Sequence, residues 1–101
     1  MTGLTLVEQR DAVRRGEVSP RELWEAHRER IGVCDPKLRA FVRVCDAYVE
    51  PVAGPLHGVP VTIKDSLDVA GYPTLTGSLY RASHKAAYDS ACAARLRAAG
   101  A

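Results

Sequence analysis

The sequence lacks the features that mark nucleic-acid-binding, secreted or membrane proteins. Lys and Arg number 14 against 12 Asp and Glu, and only 6% of the 101 residues are aromatic. Neither half carries a basic stripe, so the chain offers little for a phosphate backbone to bind and few rings for base stacking. No apolar run approaches the roughly 18 residues of a membrane span, and no signal-peptide pattern opens the chain. We expect a cytoplasmic protein that binds neither nucleic acid nor membrane.

Cysteine is scarce as well. Cys34, Cys45 and Cys92 are odd in number and widely spaced, without the close pairs of zinc or redox motifs. A catalytic cysteine needs a histidine brought close by folding, which spacing alone does not establish. The pattern indicates reduced thiols and no metal site.

Capping signals predict two helices in the first third of the chain. Thr5, with glutamate three residues later, predicts a helix from about residue 6 to a stop at Gly16. Ser19 is followed by proline at the first helical position and glutamate at the third, which predicts a second start. The Asp-Pro pair at 35–36 predicts the end of that helix.

Short strands and a third helix are predicted further on. Residues 40–45 and 59–63 are rich in β-branched side chains, which favours strands. Residues 66–78 are rich in turn formers and predict a long loop. Asp89 is the expected N-cap of a helix that stops at Gly100. A strand, a loop and a helix make the first part of a βαβ unit, so we expect an α/β fold that is incomplete as shown.

Lys64 is the residue with the most chemical promise. It follows an apolar strand at the end where α/β sheets usually bind ligands. In extended geometry Thr62 and Ser66 share its side while Asp65 points away, so a buried Lys64 could lose its proton and act as a base. The alternative is that Lys64 reaches solvent or pairs with Asp65 or Asp68, and spacing does not decide between them.

The block from Gly54 to Ser78, with Gly-Val-Pro-Val-Thr-Ile-Lys-Asp at its centre, resembles the amidase signature family. The opening helices, the 40–45 segment and the last helix are similar to that family too. The resemblance implies the N-terminal part of a mixed-sheet α/β fold with two to three short strands. Residues 1–36 would form a helical lead-in and residues 37–101 the start of the α/β core.

The resemblance also implies a chemistry, namely hydrolysis of carboxamide C–N bonds through an acyl-enzyme with two serines and a lysine. Lys64 matches the lysine, and Asp65 and Ser66 are weaker candidates for supporting it. Ser66 stands where asparagine is common in the family, and the 46–53 connector is short. Both family serines belong to a Gly/Ser-rich segment not found in these residues, so we expect the 101 residues alone to be inactive. A small-molecule amide is the implied substrate, with no cofactor.

Two other functions stay open at this level. The chain could be a truncated remnant or an interaction module that docks on a partner through an unpaired sheet edge. It could also be one half of a split amidase whose serines lie on a separate polypeptide, in which case the remainder of the amidase is its partner.

Overall fold

The computed structural model describes all residues, 1–101, and measures 44 × 32 × 19 Å. Loops connect three α-helices and one short 3-10 helix, and none of the helices is both long enough and apolar enough to cross a membrane. In chain order the elements are α1 (Leu6–Arg14), α2 (Pro20–Leu38), the 3-10 helix (Leu79–Arg81) and α3 (Ala91–Ala98).

Both predicted capping boxes are confirmed. At α1 the Thr5 hydroxyl accepts the Glu8 N–H at 3.3 Å, and the Glu8 carboxylate accepts the Thr5 N–H at 2.7 Å. Ser19 and Glu22 repeat this exchange at α2, at 3.2 and 2.8 Å. Each box satisfies backbone donors that the first turn of a helix leaves free. The predicted stop after α1 is also present, since Gly16 has a φ of +69°.

The prediction that α2 ends at Asp35-Pro36 is wrong, because the helix runs two residues further with Pro36 inside it. Proline cannot donate the usual helical hydrogen bond. Here the Asp35 carboxylate accepts the N–H groups of Ala40 and Phe41, at 2.7 and 3.2 Å, and thereby shapes the exit from the helix. Arg39, in the left-handed region with φ +50°, donates to the Asp35 carbonyl at 2.7 Å. Asp35 thus accepts all three of the hydrogen bonds that hold the exit from the helix.

Neither predicted strand forms in the structure. Segments 40–45 and 59–63 take part in no ladder, and the sole β-bridge joins Pro73 to Lys85. β-branched residues favour extended backbone, but a strand also needs a second extended segment to exchange hydrogen bonds with. Neither segment has such a neighbour. The α/β fold class and the division between residues 36 and 37 therefore stay predictions.

The cap of α3 lies one residue later than predicted. Ser90, rather than Asp89, is the N-cap, and its hydroxyl accepts the N–H of Ala93 at 3.2 Å. Gly100, with φ +93°, follows the end of the helix as expected. The Asp89 carboxylate is thereby free to bind other parts of the chain.

A cluster of aromatic and arginine side chains attaches the start of the 46–53 connector to α2. The Tyr48 and Trp24 rings meet edge to face with centroids 5.5 Å apart. Arg21 lies 4.5 Å from the Tyr48 ring centre and Arg28 4.9 Å from that of Trp24, which is cation–π geometry. Arg28 also donates to the Asp46 carbonyl at 3.0 Å. These contacts fix the path by which the chain leaves the helical region.

The hydrophobic core is small. Its members are Ala12 and Val13 of α1, Leu23 of α2, Val59 of the 59–63 segment and Ala93 of α3. Only nine of the 101 residues are buried, so single contacts matter more here than in a well-packed domain. One such contact joins α1 to α2, where the His27 ring donates from Nε2 to the Gln9 amide oxygen at 2.9 Å. Burial, followed by the charge of the N-terminus, lowers the pKa of His27.

Candidate functional site

Lys64 lies at the end of an extended, unpaired segment and opens a tight turn. Its carbonyl accepts the N–H of Leu67 at 3.0 Å, which closes the turn over residues 64–67. Its side chain is exposed and forms no ion pair with Asp65, Asp68 or any other carboxylate within 4.0 Å. The buried arrangement that would let Lys64 lose its proton is therefore not present in these residues, and of the two alternatives, solvent exposure or an ion pair, the structure shows solvent exposure.

Asp65 connects this turn to a second turn ten residues along the chain. Its carboxylate accepts the N–H of Leu75 at 3.2 Å, and its backbone carbonyl accepts the N–H of Thr76 at 3.0 Å. Asp65 is half-buried, in line with this internal role, whereas Ser66 is exposed and takes no part in these bonds. Of the two predicted supporting residues, the structure therefore gives only Asp65 a contact that holds the loop.

A second carboxylate bond, which the sequence pattern did not predict, joins the residues that flank the same two turns. Thr74 is buried and donates from its hydroxyl to the Asp68 carboxylate at 2.6 Å. The Asp68 carbonyl in turn accepts the N–H of Ser90, the N-cap of α3, at 2.8 Å. In the sequence Asp68 appeared only as a candidate ion-pair partner of Lys64. The sequence feature that could have indicated this bond is a carboxylate and a hydroxyl residue, Asp68 and Thr74, on either side of the turn formers at 71–73.

Asp89 is the third carboxylate that organises the loop. It accepts the N–H of Ala70 at 2.8 Å and pairs with the Arg97 guanidinium of α3 at 2.9 Å. The hydrogen bond from Arg97, with that from Ala70, lowers the pKa of Asp89. The loop after Lys64 is thereby attached to α3 through one half-buried side chain that the sequence predicted only as a helix cap.

The segment before Lys64 is fixed by a clasp between residues 54–58 and the end of α3. The N–H of Leu56 donates to the Ala99 carbonyl and that of Gly58 to the Gly100 carbonyl, both at 2.8 Å. A Cβ on Gly54 would lie 2.3 Å from the Ala99 oxygen, so only glycine allows this approach. Gly54 is therefore required for packing, and the clasp holds the segment that leads to Lys64.

A cleft of about 140 Å³ opens beside the loop, lined by polar and small side chains: Asp68, Thr74, Arg81, His84, Ala86, Ala87 and Tyr88. Lys64 does not line it. No three His, Cys, Asp or Glu side chains lie close enough to hold a metal ion. The chemistry that this arrangement offers is that of one exposed primary amine on a loop held at both ends.

Known proteins resemble this chain along nearly all of its length. A family model described as Amidase matches residues 22–101, a range that contains the Lys64 loop and the clasp. The chain is 40% identical over 114 residues to a glutamyl-tRNA(Gln) amidotransferase subunit from Salinispora arenicola, a match that takes in 99% of this chain and 23% of the relative. The Thermus thermophilus protein of the same name is 35% identical over 99 residues, with 93% of this chain and 21% of the relative covered.

A third relative carries a different name. "Putative amidase AmiD" of Mycobacterium bovis is 33% identical over 111 residues, covering 97% of this chain and 23% of the relative. The chain thus spans less than a quarter of the length of these curated relatives. The Salinispora match runs over 114 positions against 101 residues here, so at least 13 of its positions have no counterpart in this chain. With the family model covering most of its residues, the chain belongs to the amidase family.

Proposed function

We propose that residues 1–101 belong to an amidase that hydrolyses carboxamide C–N bonds, in which Lys64 is the catalytic base. The observation that carries the proposal is family membership over residues 22–101, a range that includes the motif in which Lys64 resembles the family lysine. The absence of an ion pair at Lys64 supports it, because a carboxylate partner would stabilise the protonated amine and make it a poor proton acceptor. The two serines that the mechanism requires are supplied from outside these residues.

In the proposed reaction the neutral Lys64 amine takes a proton from the nucleophilic serine through the bridging serine. The serine oxygen attacks the amide carbonyl and forms a C–O bond, and the C–N bond then breaks. The protonated Lys64 returns the proton to the departing nitrogen, which leaves as an amine, and an acyl-enzyme ester remains. Water cleaves that ester with the same proton path, which releases the acid and restores the serine. Burial of Lys64 by other parts of the protein would favour its neutral form.

The test uses the protein at its full natural length. Lys64→Ala and Lys64→Arg are compared with the wild type in hydrolysis of simple aliphatic and aryl amides. Lys37→Ala is the matched control, because Lys37 is an exposed lysine in the last turn of α2. Removing a general base costs about 10²- to 10⁴-fold in rate, and arginine does not replace it because its guanidinium stays protonated. Normal hydrolysis by Lys64→Ala would overturn the assignment.

Transamidation is a second candidate, favoured by the relatives that are named for an amidotransferase. In that case the amide cleaved is a glutamine-like donor, and the released nitrogen passes to an acceptor. The discriminating measurement compares ammonia release from glutamine with release from simple amides. Preference for glutamine by at least an order of magnitude would favour the amidotransferase, and preference for simple amides the hydrolase.

A serine-directed probe separates the proposal from the interaction-module and split-enzyme alternatives. A fluorophosphonate reagent is applied to the chain of residues 1–101 and to the full-length protein. The proposal expects labelling of a serine outside residues 1–101 and none within them. Labelling of the 101-residue chain would contradict both the proposal and the split enzyme, since neither places a reactive serine here.

A further inference from the structure

We infer that Asp65 is a positioning residue for Lys64 and that it acts through its hydrogen bonds to the backbone of Leu75 and Thr76 rather than through its negative charge. The inference rests on the proposed function of Lys64. It starts from the fact that Asp65 uses two different oxygens on two successive residues. The carboxylate accepts from Leu75 at 3.2 Å, and the carbonyl accepts from Thr76 at 3.0 Å.

The geometry argues against an ion pair between Asp65 and Lys64. Although the two residues are neighbours in the chain, no carboxylate oxygen of Asp65 lies within 4.0 Å of the lysine nitrogen. Asp65 is half-buried and committed to an N–H donor across the loop, while the lysine side chain is exposed. The charge of Asp65 is therefore directed to the loop interior and not to an ion pair.

The same contacts show how Asp65 would hold Lys64 in place. Lys64 opens a turn closed by its own carbonyl and the Leu67 N–H at 3.0 Å, and the next residue pins that turn to residues 75 and 76. Thr76 has a φ of +49°, a left-handed conformation that costs a β-branched residue energy and persists only where neighbours enforce it. The bond from the Thr76 N–H to the Asp65 carbonyl is such a constraint. Loss of the Leu75 bond would loosen the connection between the two turns and with it the position of Lys64.

The experiment compares Asp65→Ala and Asp65→Asn in the full-length protein, with amide hydrolysis as the assay. Asparagine keeps an acceptor oxygen for Leu75 but carries no charge, whereas alanine removes both. Asp46→Ala is the matched control, because Asp46 is exposed and only its backbone carbonyl accepts a hydrogen bond. Exchange of the Leu75 and Thr76 amide hydrogens is measured on the same samples.

The inference expects Asp65→Ala to lower kcat by about 10- to 100-fold, the cost of a lysine misplaced by about 1 Å, with little change in KM. Asp65→Asn should stay within about threefold of the wild type, since a neutral acceptor bonds more weakly than a charged one but in the same place. The acidic limb of the pH–rate profile should not move in Asp65→Asn. Amide exchange at Leu75 should quicken in Asp65→Ala and not in Asp65→Asn.

Two results would overturn the inference while leaving the proposed function standing. One is an Asp65→Ala enzyme with wild-type kcat. The other is an Asp65→Asn enzyme as impaired as the alanine variant with its acidic limb shifted, which would show that the charge matters. If the Asp65→Ala variant fails to fold, the Asp65→Asn variant and its pH–rate profile still show whether Asp65 acts through its hydrogen bond to Leu75 or through its negative charge. An inactive wild type, or an active Lys64→Ala variant, would overturn the proposed function and this inference with it.

Discussion

The clasp between Gly54 and the end of α3 makes a sharp prediction about stability. A Cβ built on Gly54 lies 2.3 Å from the Ala99 oxygen and 2.6 Å from its carbonyl carbon, both backbone atoms. Backbone has no rotamer by which to move aside, so the Gly54→Ala variant must push the two segments apart. Gly54 needs no left-handed backbone, which makes close approach the sole reason for glycine at this position.

The size of the effect follows from the bonds that the approach allows. Restoring an ordinary contact means moving the methyl group and the Ala99 carbonyl apart by about 1 Å. Such a shift breaks the two 2.8 Å hydrogen bonds of the clasp, from Leu56 to Ala99 and from Gly58 to Gly100. At about 0.5–1.5 kcal/mol for each bond, the Gly54→Ala variant should lose about 1–3 kcal/mol of unfolding free energy.

Urea unfolding followed by the fluorescence of Trp24, the one tryptophan of the chain, measures this loss. Gly32→Ala is the control: Gly32 lies inside α2, and a Cβ there meets nothing within 4 Å. Alanine in an open helical position should raise stability by about 0.5–1 kcal/mol. The two glycine-to-alanine changes therefore have opposite signs. A Gly54→Ala midpoint at or above the wild type, with Gly32→Ala stabilising as expected, would refute the clasp as described.

Three further predictions concern the helices and the loop. Ser19→Ala removes the hydroxyl half of the α2 capping box and should cost about 1 kcal/mol in urea unfolding; an unchanged midpoint would deny the box a role. Burial lowers the pKa of His27 below its usual 6.5, so the unfolded chain binds the proton more tightly and the free energy of unfolding should fall as the pH drops through 6.5. The His27→Gln variant should show a flatter pH dependence. An equal slope in the variant would show that His27 does not cause it. Asp89→Ala should speed hydrogen exchange of the Ala70 amide, and unchanged exchange would show that Asp89 does not secure the loop.

Helix beginnings could be predicted from the sequence because their determinants are local. Each capping box joins residues three positions apart, as Thr5 and Ser19 illustrate, so the pattern is visible in the letters. The end of α2 could not be predicted in this way. Pro36 does not stop the helix as proline ordinarily does, and the contacts that shape its end join Asp35 to Ala40 and Phe41, five and six residues further on.

The prediction of two strands was wrong for a different reason. β-propensity reports how well a side chain suits a pleated surface, but pairing depends on another segment at a distance that composition does not reveal. Residues 59–63 keep the β-branched composition of a strand and place Val59 in the core, yet none of them pairs with a neighbour. The apolar character of a single residue such as Val59 could be predicted from the sequence, whereas the pairing of its segment with a second strand could not.

The candidate site shows the same difference between local features, which the sequence predicts, and contacts between distant residues, which it does not. Lys64 could be found from the sequence, by its place after an apolar segment and by the resemblance of its motif to a family. The grip of Asp65 on Leu75 and Thr76 could not, because it joins residues ten and eleven positions apart through a backbone conformation. Aspartate favours the N-cap position, so the sequence predicts Asp89 as the cap of α3, but Ser90 occupies that position in the structure.

The residues before and after Lys64 have different structural roles. The glycine block before it attaches the chain to α3, and Asp65 with Asp68 fastens the loop after it. Lys64 lies between two fastened segments while its own side chain makes no ion pair. Substitutions of Gly54, Asp65 or Asp68 should therefore alter the free energy of unfolding or the position of the Lys64 amine. A substitution of Lys64 should instead lower the rate of amide hydrolysis and leave the free energy of unfolding nearly unchanged. Activity and unfolding measured on the same variants separate these roles, since a lysine that only maintained the fold would change both together.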